Sequence, residues 1–103
     1  MTASTIFKAL GEPTRLKMVE RLSLGGSHTI TSLLQEFPIS RQGGRKHLQI
    51  LLDSKIIYMI PDGRNTLVTL DTKGLNVGKK FLEKLEIKWE KKLLALKDYV
   101  EGK

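Results

Sequence analysis

Residues 40–54 read SRQGGRKHLQILLDS, and the spacing within that stretch decides the fold. Ser40 is a good N-cap, because its hydroxyl can accept from a first-turn backbone N–H that has no partner inside the helix. From Arg41 to about Ser54, Leu48, Leu51 and Leu52 fall at the i, i+3, i+4 spacing of a buried helical stripe. At ~100° per residue Gly44 joins that stripe, while Gln42, Gly43, Lys46 and Gln49 gather on the opposite side. A helix divided in this way can be held from behind while its other face meets a partner. Gln42 and Gln49 carry amides able to pair with a base edge, Lys46 carries a point charge, and Gly43 lets a second backbone come close. Arg41, in the first turn, and Arg45, at the flank, are placed for phosphates. His47 sits on the border of the two faces, where a lone histidine is a packing and hydrogen-bonding residue before it is a ligand. With Ser40 it completes the candidate contact set. The competing reading is an ordinary surface helix with solvated charges.

Beyond this stretch comes IIYMI (56–60), then Pro61-Asp62-Gly63-Arg64-Asn65, then TLVTL (66–70): two β-rich runs around a glycine-containing turn, hence a hairpin. Its tip extends beside the 41–54 helix and carries Arg64 toward a neighbouring minor groove or backbone. That coordination of hairpin and helix outweighs the ordinary-surface reading. From about Thr72 the pattern is helical again, with Leu82, Leu85, Trp89, Leu93, Leu96 and Val100 at steps of 3, 4, 4, 3 and 4.

On the N-terminal side, Thr31 is read as the cap of a third helix whose Leu33, Leu34 and Phe37 face inward and which Pro38 stops. Third helix, three-residue turn and the 41–54 helix then form a helix-turn-helix. Thr29-Ile30 is a brief strand. A second helix opens at Pro13, buries Leu16, Met18, Val19 and Leu22, and ends before Leu24-Gly25-Gly26. A short first helix with Ile6, Phe7 and Leu10 is closed by Gly11. The expected fold class is mainly α with a β-hairpin wing (α+β): a winged helix-turn-helix of about five helices, forming a single domain over 1–103.

The whole chain is 103 residues, 40% hydrophobic and 28% charged, which suits one modest core rather than disorder. No apolar run approaches the ~20 residues of a membrane span, and MTASTIFKAL lacks the basic-then-apolar layout of a secretion signal, so a cytoplasmic protein with no membrane partner is expected. With no cysteine, disulfides, thiolate metal sites and thiol switches are excluded. The net charge of +7 predicts a polyanionic partner. No nucleophile stands beside a base and no histidine pair is present, since His28 lies alone in a loop after two glycines; an enzyme is not expected.

FKALGEPTRLKMVERL, TITSLLQEF, ISRQGGRKHLQIL, GRNTLVTL and WEKKLLALKDYV together resemble the ArsR/SmtB-type winged-helix repressors, over nearly the whole chain. The most specific pieces are Ala9-Leu10 with Pro13-Thr14-Arg15, Ser40-Arg41-Gln42 with Lys46-His47-Leu48, and Gly63-Arg64. The resemblance implies a homodimer that binds double-stranded operator DNA, represses transcription and releases DNA when an effector binds; no residue pattern here names the effector. It also implies that the first helix and the 74–101 helix form the dimer contact, through Ile6, Phe7, Leu10, Leu82, Leu85, Trp89, Leu93 and Leu96. The closing helix supports this independently, having more apolar surface than one small domain covers. A two-fold dimer sets two reading helices about one DNA turn apart, which suits an inverted repeat. The groove between first and last helices is the default place for a ligand.

Metal-sensing relatives carry cysteines on the third helix, or histidines and carboxylates on the last. Neither set is here, and alternating Glu, Asp and Lys along residues 79–101 reads as a solvated, ion-paired face, so no metal or other cofactor is expected. Gly43-Gly44 stand where the family often has alanine and an aliphatic residue, each expected to destabilise the helix by up to ~1 kcal/mol relative to alanine. Lys55 replaces the family's usual glycine, so either it adopts a left-handed conformation or the helix exits differently. The alternative function is a winged-helix interaction module holding an acidic partner, which the paired outward glutamines suit less well than they suit bases.

Overall fold

The computed structural model describes residues 1–102. The elements run α1 (Ala3–Leu10), α2 (Pro13–Ser23), β1 (His28–Thr29), α3 (Ile30–Leu34), α4 (Arg41–Asp53), β2 (Ile57–Asp62), β3 (Asn65–Leu70) and α5 (Thr72–Val100). Thr2 caps α1 through Thr5 N–H, and Gly11 N–H closes its end on the Phe7 carbonyl at 2.8 Å. Pro13 opens α2 at a position whose N–H has no helical partner, and the Glu12 carboxylate caps it. Gly25 and Gly26 then take φ of 85° and 88°, the left-handed region that turns the chain back toward β1.

β1, β3 and β2 form an antiparallel sheet in that order, with β3 in the middle, so the hairpin is tied to the helical part through His28↔Val68 and Thr29↔Leu67. The β2–β3 ladder runs out to Asp62↔Asn65, into the turn expected over residues 61–65, leaving a Gly63-Arg64 loop. Gly63 has φ of 60° and Arg64 does not have positive φ, the type II′ pattern that matches strand twist. Pro61 is accommodated because β2 is an edge strand.

The core is one cluster of Ile6, Ala9, Met18, Val19, Leu22, Leu33, Leu34, Leu48, Leu51, Ile56, Ile57 and Val68. Leu16, expected inside, is 42% exposed, because it lies some 100° round α2 from the Met18–Val19–Leu22 face. The cap of α3 is Thr29 rather than Thr31. Its hydroxyl accepts from Ser32 N–H at 3.0 Å, and Ser32 Oγ accepts from Thr29 N–H at 2.9 Å. α3 also ends early. Glu36 and Phe37 N–H reach back three residues, to Leu33 and Leu34 carbonyls, tightening the last turn, so residues 35–40 rather than three residues separate α3 from α4. Phe37, no longer helical, still packs against the core.

Lys55 adopts the left-handed conformation, φ 59°, at the end of α4, and its carbonyl accepts from Gly74 N–H at 2.8 Å. Gly74 is required there: an added Cβ would lie 2.5 Å from the Ser54 carbonyl oxygen and 2.7 Å from that of Lys55. Past Gly78, α5 leaves the core. The molecule measures 68 × 24 × 23 Å, with a radius of gyration of 18.7 Å against ~13 Å for a compact chain of this length. Among the described residues, no helix is long and apolar enough to cross a membrane, and no group of three or more histidines and carboxylates converges as a metal-ligand set.

Candidate nucleic-acid interface

α4 is held at both ends before its surface is considered. Ser40 Oγ accepts from Gly43 N–H at 3.0 Å at its start, and at its close Ser54 Oγ donates to the Ile50 carbonyl at 2.8 Å. Gly44, Leu48 and Leu51 are buried, against Leu34 and Ile39 at the α3 side and the rest of the core behind. Gln42, Lys46 and Gln49 are exposed on the face opposite, and Gly43 is half-buried beside them. Gly44 has a packing reason that sequence does not show: a Cβ there would lie 2.5 Å from Leu34 Cδ2, so the glycine lets α3 approach α4.

Arg41 and Arg45 are exposed and, with Thr31, Gln35 and Ile39, line a surface groove of about 180 Å³ between α3 and the start of α4. Arg64 is exposed in the hairpin turn, beyond Asp62↔Asn65, and that pair lies about 10 Å along the ribbon from Met59↔Val68, which still packs on the core. The structure thus sets Gln42, Lys46, Gln49, Arg41 and Arg45 together on one helix and holds Arg64 apart on a separate arm.

Three neighbours of this face escaped the sequence reading. Gln49 Nε2 donates to Asp53 Oδ1 at 2.8 Å, leaving the amide oxygen and one N–H; the i, i+4 spacing was the available signal. Arg15 Nη1 lies 3.2 Å from His47 Nδ1, a pair 32 residues apart that no local pattern announces. Glu12 stands at the same junction, its Oε2 3.7 Å from His47 Nδ1. Its carboxyl is held below the ordinary glutamate range, chiefly by the Arg15 backbone N–H that it caps at 2.9 Å, and further by the Thr14 N–H and the Arg15 charge, with burial opposing.

The second expected surface is on α1 and α5. Ile6 belongs to the protomer's own core, 1% exposed. Phe7 is partly exposed, meets Phe81 edge-on at 5.7 Å between ring centroids, and with Leu10, Leu75 and Leu82 lines an apolar groove of about 410 Å³ between α1 and α5. Leu82, Leu85, Trp89, Leu93 and Leu96 are between 46% and 62% exposed on the projecting part of α5.

The fold recurs in known proteins. The repressor SdpR of Bacillus subtilis (strain 168) is 32% identical over 69 residues, 67% of this chain and 76% of SdpR. A solved ArsR-like transcriptional regulator from Rhodococcus sp. RHA1 is 28% identical and superposes with a TM-score of 0.79, over 93% of this chain and 90% of its own. The chain belongs to the ArsR family of transcriptional regulators. A further crystal structure of an ArsR family regulator, 29% identical, gives a TM-score of 0.76 over 84% of this chain and 89% of its own. HlyU from Vibrio cholerae N16961, 20% identical with a TM-score of 0.65, shares the fold with this ArsR-family chain. No family model matches the sequence. In ArsR-family terms α3 and α4 are the helix-turn-helix of a winged-helix fold and β2–β3 is its wing, as the sequence resemblance implied.

Proposed function

We propose that the chain is a homodimeric, sequence-specific DNA-binding repressor, acting in the cytoplasm and not sensing metal through cysteine. One observation carries the reading: α4 is clamped from behind by Gly44, Leu48 and Leu51, and its free face presents Gln42, Lys46 and Gln49. A helix of that kind fits the major groove, where amides pair with base edges and a lysine with guanine acceptors. Arg41 and Arg45 hold the flanking phosphates, and Arg64 reaches the backbone or minor groove one step along. Relatives named as transcriptional regulators, and one named as a repressor, support the direction of control.

The dimer rests on α5. A helix of 29 residues is about 43 Å long, and its second half meets none of its own core, so the Leu82–Leu85–Trp89–Leu93–Leu96 stripe needs a partner surface. A second copy supplies one with the same stripe, and the two-fold axis then predicts an inverted-repeat operator. Selection of bound duplexes from a random pool by the purified protein tests this. A two-fold-symmetric consensus is expected, and Gln42→Ala with Lys46→Ala should flatten the preference while leaving non-specific binding. Absence of any enriched sequence would overturn the proposal.

A further inference from the structure

The guanidinium of Arg15 directs three of its five N–H donors to partners within the protein. Its Nε donates to the Ala9 carbonyl at 2.7 Å and its Nη2 to the Lys8 carbonyl at 3.4 Å, both at the C-terminal end of α1 where carbonyls lack helical partners. Its Nη1 lies 3.2 Å from His47 Nδ1 on α4, within hydrogen-bond reach, whereas Glu12 Oε2 stands 3.7 Å from the same nitrogen, too far to accept a hydrogen bond from it. Arginine has N–H donors only and stays charged, so the nitrogen that faces it must be the acceptor. A neutral imidazole that accepts at Nδ1 carries its proton on Nε2. Among the described residues Nε2 has no protein partner, and no buried side-chain nitrogen is left without one, so Nε2 is reached from solvent. That agrees with a side chain still 23% exposed at the border of the DNA-facing side.

We propose that Arg15 is a positioning residue that fixes His47 as the Nε2–H tautomer, making the imidazole a neutral hydrogen-bond donor to a phosphate oxygen of the duplex. The inference rests on the DNA-binding reading above. Phosphate is the matching acceptor because Gln42 and Lys46 occupy the centre of the face while His47 lies at its edge, toward α2. Arg15 thereby ties α1, α2 and the recognition helix together through one side chain, and touches no DNA itself.

A neutral donor differs from a cation in a measurable way, since it neutralises no phosphate and releases no counterion. In the free protein, the ¹⁵N resonances of the His47 ring report the tautomer directly. Nε2–H is already the favoured tautomer of a free neutral imidazole, so in the wild type it should be the only neutral form detected, and Arg15→Met should let a minor Nδ1–H population appear. If Arg15→Met does not fold, the His47 variants carry the test alone. His47→Gln places an amide N–H near the position of Nε2 and should keep operator affinity within about threefold; His47→Asn mimics Nδ1 and should lose about tenfold or more in the dimer. Neither should change the slope of log K against log salt. An Nδ1–H or doubly protonated ring in the free protein, equal losses for Gln and Asn, or a reduced salt slope would each overturn the proposal. A wild type that binds no duplex would remove the repressor reading and the donor role with it, whereas binding with equal losses removes the donor role alone.

Discussion

Adding one methyl at Gly44 and one at Gly43 should have opposite effects on stability, although the residues are neighbours in the same helix. Alanine gains about 0.8–1.0 kcal/mol over glycine in a helix interior from propensity alone. At Gly43 the new Cβ meets only Ser40 Oγ, at 3.1 Å, so most of that gain should remain, about 0.5–1 kcal/mol. At Gly44 it would sit 2.5 Å and 3.0 Å from the two δ-methyls of Leu34 and 3.2 Å from Ile39 Cδ1, which forces the neighbours to move. Overpacking of this kind costs about 1–3 kcal/mol. Leu34 and Ile39 also line the groove of about 180 Å³ beside Arg41, so the displaced methyls have room, and the cost should fall toward the low end. Gly44→Ala is then net destabilising by up to about 1 kcal/mol, and the two variants should differ by about 1–2 kcal/mol, or some 4–16 °C in Tm. Thermal unfolding of both at one protein concentration measures this, concentration being fixed because dimer stability depends on it. A Gly44→Ala midpoint raised as far as that of Gly43→Ala would refute the close approach of α3 to α4.

Three further outcomes are expected. Arg41, Arg45 and Arg64 give about six phosphate contacts in a dimer and a salt slope near −5, or about −7 if Lys46 also meets phosphate; Arg64→Ala should make the slope shallower by about 2 in fluorescence anisotropy, and no change would take the wing tip off the DNA. Leu85→Glu, 47% exposed in mid-stripe, brings two like charges together at a two-fold contact and should weaken dimerisation by at least about 100-fold, so sedimentation should show the 11.6 kDa monomer where the wild type shows twice that mass. Glu12 has a lowered folded-state pKa, so its stabilising effect is present above the ordinary glutamate range and lost as pH falls through the lowered value. Acid unfolding of Glu12→Gln should accordingly lack that part of the pH dependence, and a superimposable profile would show that the cap at Arg15 N–H contributes nothing.

Features that depend on neighbours a few residues apart were legible in the order of the amino acids. The two faces of α4, its Ser40 cap, the hairpin around Gly63 and the apolar stripe of α5 are periodic or local signals, and each follows from helix pitch, strand alternation or turn geometry. Most of the proposed DNA-facing set was legible for the same reason, because Gln42, Lys46 and Gln49 share a face whatever lies behind them. Tertiary structure decided the rest. It alone set the six residues between α3 and α4, turned Leu16 outward, buried His28 within edge strand β1 at 7% exposure, and drew Ile6 into the core. It made Gly44 a point of close packing rather than a weakness, and brought Arg15 to His47 across 32 residues. These outcomes depend on which surfaces meet and how closely. A single chain's local spacing carries no record of the neighbour that fills the other half of each contact.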